Sequence, residues 1–282
     1  PSCTLPTGSV TLSGLPAAGW TIVRTPGGNT YPGTGVATTI SGLVPGTYTF
    51  TVTNLNGCTS VPSASVVINA QPLVPTAPSV GTITQPTCTN STGSVSLGDL
   101  PDGSWTITRS PGGVTTMASG NSIIIGDLPA GETYTFTVTN SSGCTSTASA
   151  PVVIGAQPQT PTAPVIGNIT HPTCEVSTGS VALSGLPASG TWTLTRFPDN
   201  MTFTGTGTTS TVSGLAAGTT YFFTVINSLG CTSPVSDNVP VNTQPLTPSM
   251  PVLGDITQPD CSSPGGSVVL NGLPGTGTWA LT

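Results

Sequence analysis

Sulfur carries the most reactive chemistry in this sequence. Its seven cysteines occupy only two kinds of position. Cys3, Cys88, Cys174 and Cys261 each follow a Pro-x pair, whereas Cys58, Cys144 and Cys231 each follow a glycine. A structural zinc site draws thiolate and imidazole ligands from closely spaced pairs. Here there is no CxxC pair, and the one histidine, His171, stands alone in the slot that Gln85 and Gln258 fill elsewhere, which reads as a surface variation. Disulfide chemistry remains, and with it an oxidising compartment. Two pairings suit the spacing. Bridges inside each repeat would join Cys3 to Cys58, Cys88 to Cys144 and Cys174 to Cys231, with Cys261 left unpaired by truncation. Bridges across the connectors would join Cys58 to Cys88, Cys144 to Cys174 and Cys231 to Cys261, leaving Cys3. The first is preferred, because it makes each repeat self-sufficient and does not require the chain to double back past a stiff connector. A closed loop of about 56 residues contributes roughly 3–4 kcal/mol in the chain-entropy view.

Other chemistry is poorly supplied. Charged residues are 4% of the chain, against about 25% in an ordinary soluble domain. Three arginines and no lysine cannot build the basic stripe that neutralises phosphates, which excludes nucleic-acid binding. Acid–base catalysis needs histidine, lysine or paired carboxylates. The nine acids do not recur from repeat to repeat, and residues 1–85 contain none, so calcium, which needs several converging carboxylate oxygens, is not a general device. No Ser/His/Asp constellation repeats, and the glycines lack the lysine of a phosphate loop. Arg24, Arg109 and Arg196 each stand four residues after a tryptophan. They are read as strand-end side chains on the tryptophan face that bond nearby carbonyls, in preference to an anion or sugar contact. The reading is non-enzymatic: no catalytic residue, no cofactor, no metal. No stretch approaches the ~18–20 apolar residues of a membrane-spanning helix.

The elements that position these residues come from an internal repeat, which must be sought before any other feature. PSCTLPTGSVTLSGLP at Pro1, PTCTNSTGSVSLGDLP at Pro86, PTCEVSTGSVALSGLP at Pro172 and PDCSSPGGSVVLNGLP at Pro259 align without gaps. Each is followed by a tryptophan strand, at Trp20, Trp105, Trp192 and Trp279, and three continue to a Tyr-x-Phe-Thr-Val strand that ends in Gly-Cys-Thr-Ser. Tyr134, Phe136 and Val138 alternate with threonines, as do Trp105 and Ile107; Val95 and Leu97 alternate with serines. Such period-2 patterns, broken by glycine and proline every 8–12 residues, predict short antiparallel strands and no helix. About seven strands per repeat fit an all-β chain of tandem Ig-like or fibronectin-III-like sandwiches. The repeats are placed at 1–72 (N-terminally truncated), 73–158, 159–245 and 246–282 (a fragment), and the chain reads as a window on a longer array. LVPGTY at 43, LPAGETY at 128 and LAAGTTY at 215 have the form of a tyrosine corner. The tryptophans are expected to fill the cores and not to form exposed sugar platforms. The Pro-rich connectors QPLVPTAP, QPQTPTAP and QPLTPSMP favour extended, semi-rigid backbone and hence a head-to-tail rod.

A surface with so little charge lacks the usual defence against association. Glycans, tethering to a cell and burial of the outer faces in a fibre are three remedies. Sequons stand at Asn90, Asn140, Asn168 and Asn200, although hydroxyl-linked sugar suits a Thr/Ser-rich face better.

The recurring Pro-x-Cys, Gly-Ser-Val strand, Leu-x-x-Gly-x-Tyr corner and Gly-Cys turn resemble the Ig-like/fibronectin-III-like repeats of giant Bacteroidota cell-surface adhesins, the SprB-type gliding adhesins. The resemblance covers three whole repeats and the fourth fragment. It implies type IX secretion, an extracellular filament or stalk at the cell surface, and a structural role in attachment or gliding, with no catalytic residues to carry over. Partners would then be neighbouring repeats, parallel copies in a filament and surface glycans. The alternative is a spacer, or a set of carbohydrate-binding repeats, in a secreted multidomain polysaccharide-degrading protein.

Overall fold

The computed structural model describes every residue from Pro1 to Thr282. The glycine and proline breaks keep all strands to nine residues or fewer. There is no helix long and apolar enough to cross a membrane. The chain forms two compact units, Pro1–Gln157 and Pro158–Thr282.

The first unit holds two sandwiches. The first of these comprises β1 (Gly8–Ser13), β2 (Trp20–Thr25), β3 (Thr30–Gly33), β4 (Ala37–Leu43), β5 (Gly46–Asn54) and β6 (Val66–Ile68). One sheet runs β3-β2-β5-β6 and the facing pair is β1-β4. The second sandwich adds an N-terminal strand: β7 (Ser79–Thr84), β8 (Thr92–Gly98), β9 (Ser104–Ser110), β10 (Thr115–Ser119), β11 (Ile123–Pro129), β12 (Thr133–Asn140) and β13 (Val152–Val153). Its sheets run β10-β9-β12-β13 and β11-β8-β7. This is a fibronectin-III-like, three-on-four antiparallel sandwich.

Alternation explains the layers. Along β12, Tyr134, Phe136 and Val138 are buried while the threonines between them face outward. From the other sheet, Val95 and Leu97 of β8 and Leu128 of β11 meet them across one core, with Trp105 and Ile107 between. Each such fully buried side chain contributes about 1.5–3 kcal/mol. The first sandwich repeats the pattern around Trp20, Ile22, Leu43, Tyr48 and Phe50.

Three polar devices recur inside these cores. The indole N–H of Trp20 donates to Gly35 O at 2.8 Å, and that of Trp105 to Gly120 O at 2.7 Å, which makes the ring's burial affordable. The Tyr48 hydroxyl donates to Val44 O at 2.9 Å and the Tyr134 hydroxyl to Pro129 O at 3.2 Å, so both tyrosine corners are formed. The third device was not visible in the alternation. After β12 the chain runs irregularly beside it. Ser146 Oγ accepts the Val138 N–H while donating to Thr147 O, and Ser149 Oγ accepts the Phe136 N–H while donating to Ala150 O. Hydroxyls thus replace missing ladder bonds along the edge of β12, satisfying buried backbone that would otherwise be unpaired.

The second unit contains β14 (Val165–Thr170), β15 (Thr178–Ser184), β16 (Trp192–Phe197), β17 (Met201–Gly205), β18 (Ser210–Ala216), β19 (Thr220–Ile226), β20 (Val239–Pro240), β21 (Val252–Thr257) and β22 (Ser267–Asn271). Sheets β17-β16-β19-β20 and β14-β15-β18 enclose a core with Trp192, Leu194, Tyr221 and Phe223. The Trp192 N–H donates to Gly207 O, the Ala216 N–H donates to the Tyr221 hydroxyl, and Ser233 and Ser236 stitch the edge of β19. Strands β21 and β22 pair only with each other. Trp279 departs from the core reading of its counterparts: it lies in no strand and is 50% exposed.

Candidate functional site: a disulfide clasp between repeats

Strand order decides where each cysteine sits. Cys88 lies in the turn between β7 and β8, at the end of the sandwich where β8 begins. Cys144 lies just after β12. The register pairs Asn140 of β12 with Trp105 of β9, so β12 ends where β9 starts, at the end of the sandwich where β8 finishes. The seven residues of β8 separate these ends by about 20 Å. A disulfide tolerates no more than ~7 Å between Cα atoms.

The expected bridges inside each repeat are therefore wrong, and Cys3 does not pair with Cys58. Cys3 pairs with Cys144, at a Cα separation of 5.4 Å and a sequence separation of 141. The connector-crossing alternative fails as well, since Cys58 is a free, exposed thiol. Cys3, Cys88, Cys144 and Cys231 are disulfide-bonded, whereas Cys174 joins Cys58 and Cys261 among the exposed free thiols. The Pro-x-Cys loop at one end of the first sandwich is thus clasped to the Gly-Cys turn at the near end of the next.

Hydrogen bonds fix both halves of the clasp. On the donor side, the connector glutamine Gln71 gives its Nε2–H to Cys3 O at 2.9 Å. On the receiving side, Asn140 Oδ1 accepts the N–H groups of Ser142 and Cys144, at 3.1 and 3.0 Å. Asn140 Nδ2 then donates across the joint to Leu73 O at 2.9 Å. Gly143 completes the turn at φ 78°, a conformation that side chains other than glycine rarely adopt. Cys144 is fully buried beneath the seated connector, its Sγ 4.0 Å from Pro72 O.

The second unit repeats the halves separately. Asn227 Oδ1 accepts the Leu229 and Cys231 N–H groups, and Nδ2 donates to Gln159 O at 2.9 Å. Gln244 Nε2 donates to Thr173 O at 3.1 Å and to Cys174 O at 3.4 Å. In the first unit Gln157 does the same for Thr87 O and Cys88 O. The roles of Asn140 and Gln71 escaped the sequence reading. The signal was present: asparagine recurs at 54, 140 and 227, and glutamine at 71, 157 and 244.

The arginines lie on the tryptophan face, as alternation required. Arg24, Arg109 and Arg196 each stack over the tyrosine-corner ring, with Cζ 5.1–5.2 Å from the centroids of Tyr48, Tyr134 and Tyr221. Such a cation–π contact rigidifies the corner. Arg24 also donates to Pro26 O and to Asn29 Oδ1. Arg196 is buried and forms a bidentate ion pair with Asp199, which holds that carboxyl below the usual carboxylate range. His171 is more than a surface variation. Its Nδ1 accepts the Asn242 N–H at 3.3 Å, as Gln85 Oε1 accepts the Gly155 N–H, so both residues pin the last strand to the Pro-x-Cys loop. No three His, Cys, Asp or Glu side chains converge in a group that would hold a metal.

No family model matches the sequence. Chitinase A1 of Niallia circulans is 34% identical over 147 residues, covering 46% of this chain and 20% of that protein. The chain thus spans about a fifth of that relative's length. Among solved structures, the FN1–FN3 domains of chicken CNTN1 align over 84% of this chain and 95% of that one, at 13% identity and a TM-score of 0.34. The fold assignment stands on the strand order and the corners described above, and the disulfides belong to an oxidising, extracytoplasmic setting.

Proposed function

We propose that this chain is a non-enzymatic tether: tandem sandwiches of a secreted protein, clasped pairwise, that hold an adhesive or motile cell-surface component at a distance. The observation that carries this reading is the Cys3–Cys144 bridge. A bridge that spans a connector adds nothing to ligand recognition, but it removes the freedom that two sandwiches on a Pro-rich linker would otherwise have. Buried tryptophans and arginines committed to tyrosine corners support the same reading, since neither is presented to a glycan. Resemblance to gliding-adhesin repeats suggests attachment or gliding as the process served.

The test is an in-frame deletion of these repeats from the full-length protein on its native cell, complemented by an unrelated sandwich array of equal length. A tether predicts that attachment or gliding falls on deletion and returns with the substitute array. Return only with the original repeats would instead assign them a binding surface.

A second reading, a spacer in a secreted polysaccharide-degrading protein, is favoured by the partial similarity to Chitinase A1. It predicts that the deletion lowers the breakdown of insoluble polysaccharide by the full-length protein and leaves attachment unchanged.

A further inference from the structure

The second repeat departs from the first and third in three ways that meet at one cleft. In the first and third repeats an aromatic side chain stands beside the arginine strand. Tyr31 lies opposite Ile22 and Phe203 opposite Leu194, each packed against its core. The second repeat has Thr116 there, opposite Ile107. Its arginine also lacks an acceptor. Arg24 donates to Asn29 Oδ1 and Arg196 to the Asp199 carboxylate, whereas the matching residues beside Arg109 are Val114 and Gly112. The Arg109 Nε is buried with no hydrogen-bond partner, an orphan that a native fold has to explain. Finally, Asp127 stands where the other repeats have Gly42 and Gly214, at a left-handed φ of 52° that favours glycine. With the aromatic plug gone, a cleft of about 470 Å³ opens between the edge strands β10 and β11, and Arg109, Thr116, Ile125, Asp127 and Phe136 all line it. That volume suits a small organic ligand. The third repeat shows what would complete the site: Arg196 stacks on two rings, Tyr221 at 5.2 Å and Phe203 at 5.6 Å, while Arg109 has Tyr134 alone, at 5.2 Å.

We propose that this cleft binds a small hydroxyaryl carboxylate. The ring takes the place that Tyr31 and Phe203 hold in the other repeats and gives the Arg109 guanidinium its second cation–π contact. The carboxylate pairs with that guanidinium as Asp199 pairs with Arg196, in a charge-assisted hydrogen bond. The hydroxyl, at the far end of the ring, donates to Asp127, which forms no ion pair with Arg109 and so keeps its oxygens for a ligand. A hexuronic acid supplies the carboxylate but offers no π face to the guanidinium, and it binds more weakly. No connector or cysteine residue lines the cleft. The proposal therefore goes beyond the tether reading, which rests on Cys3–Cys144 whichever way the following test falls.

The experiment titrates the whole chain with 4-hydroxybenzoate by calorimetry. Expected is one-to-one binding with a Kd on the order of 0.1–1 mM, in keeping with so small a ligand. Benzoate, which lacks the hydroxyl, phenol, which lacks the carboxylate, and glucuronate, which lacks the aromatic ring, should each bind about fivefold more weakly or worse. Arg109→Gln should weaken 4-hydroxybenzoate about tenfold or more. Thr116→Phe, which restores the plug of the third repeat, should abolish binding while leaving the melting temperature no lower than the parent's, so that loss of binding is not loss of fold. Asp127→Gly should bring 4-hydroxybenzoate down to the affinity of benzoate. The absence of binding at millimolar ligand overturns the proposal. So does an affinity that ignores Thr116→Phe, or glucuronate binding as tightly as the aryl acid.

Discussion

Cys3 and Cys144 lie 5.4 Å apart at Cα, although 141 positions separate them in sequence. No other covalent link in the first unit joins its two sandwiches except the connector itself. In the chain-entropy view a loop of that length stabilises by about 5 kcal/mol, and measured values for native bridges run about 2–5. Cys3→Ser should therefore destabilise the first unit by about 2–5 kcal/mol, whereas Cys58→Ser, at an exposed free thiol, should leave stability within about 0.5 kcal/mol of the parent. Calorimetric unfolding of the two variants side by side checks this.

Tension entering at Pro1 passes through the bridge and bypasses the chain between its cysteines. Single-molecule stretching of the oxidised protein should lack the extension stored in that loop, about 500 Å at full stretch. The missing length should appear once a reductant is added. A contour length indifferent to reduction would remove the bridge from the load path.

Asn140 does two jobs with two atoms, and they separate by substitution. Asn140→Asp keeps the oxygen that organises the turn but sets a second acceptor against Leu73 O, with no N–H between them. It should speed reduction of Cys3–Cys144 by dithiothreitol about fivefold, for the loss of roughly 1 kcal/mol of hydrogen bonding. Asn140→Ala also disorganises the turn and should exceed it. Equal rates in all three proteins would leave Asn140 no part in the clasp.

Asp199 gives the second unit an acid sensitivity. Its carboxyl is held below the ordinary value chiefly by the hydrogen bond from Arg196. A depressed folded-state pKa contributes stability above the unfolded value, about 3.9, and that contribution is lost as pH falls through the folded value. The melting temperature of the second unit should drop below about pH 4, and Asp199→Asn should flatten that drop. In the first sandwich the partner of the corresponding arginine is Asn29, which does not titrate.

Gly33 and Gly205 lie opposite Trp20 and Trp192 in register, where a Cβ would meet the indole at 2.3 and 2.5 Å. Gly33→Ala should cost about 1–3 kcal/mol by overpacking, read from thermal unfolding together with the near-ultraviolet tryptophan signal. The second sandwich has Ala118 opposite Trp105, so Ala118→Gly should perturb far less.

Period-2 alternation was enough to find Val95, Leu97, Trp105, Tyr134 and Phe136 as one core, because burial on a pleated sheet leaves that trace in any sequence. The corner tyrosines were legible for the same reason, with a glycine turn to mark the crossing. The cysteine partners were not. Within-repeat, cross-connector and clasp pairings all draw on the same spacing, and the choice depends on which end of the sandwich each turn occupies. That required knowing that β7, a weakly patterned Ser-Val-Gly-Thr-Ile-Thr strand, precedes the Pro-x-Cys motif and leaves Cys88 in a turn between two strands. Ser146 and Ser149 were hidden differently: in a Thr/Ser-rich chain, two hydroxyls that complete a ladder look like any others.

The separation of Cys3 and Cys58 onto opposite ends of one sandwich also sets an order for biogenesis. In a nascent, unfolded chain Cys58 and Cys88 are nearer in sequence to Cys3 than Cys144 is, so early oxidation favours the wrong partners. Folding of the first sandwich withdraws Cys58 from reach, and folding of the second presents Cys144 at the joint. Maturation must therefore run from collapse to oxidation, and an oxidant that acts during translocation would trap the chain in loops its native architecture forbids.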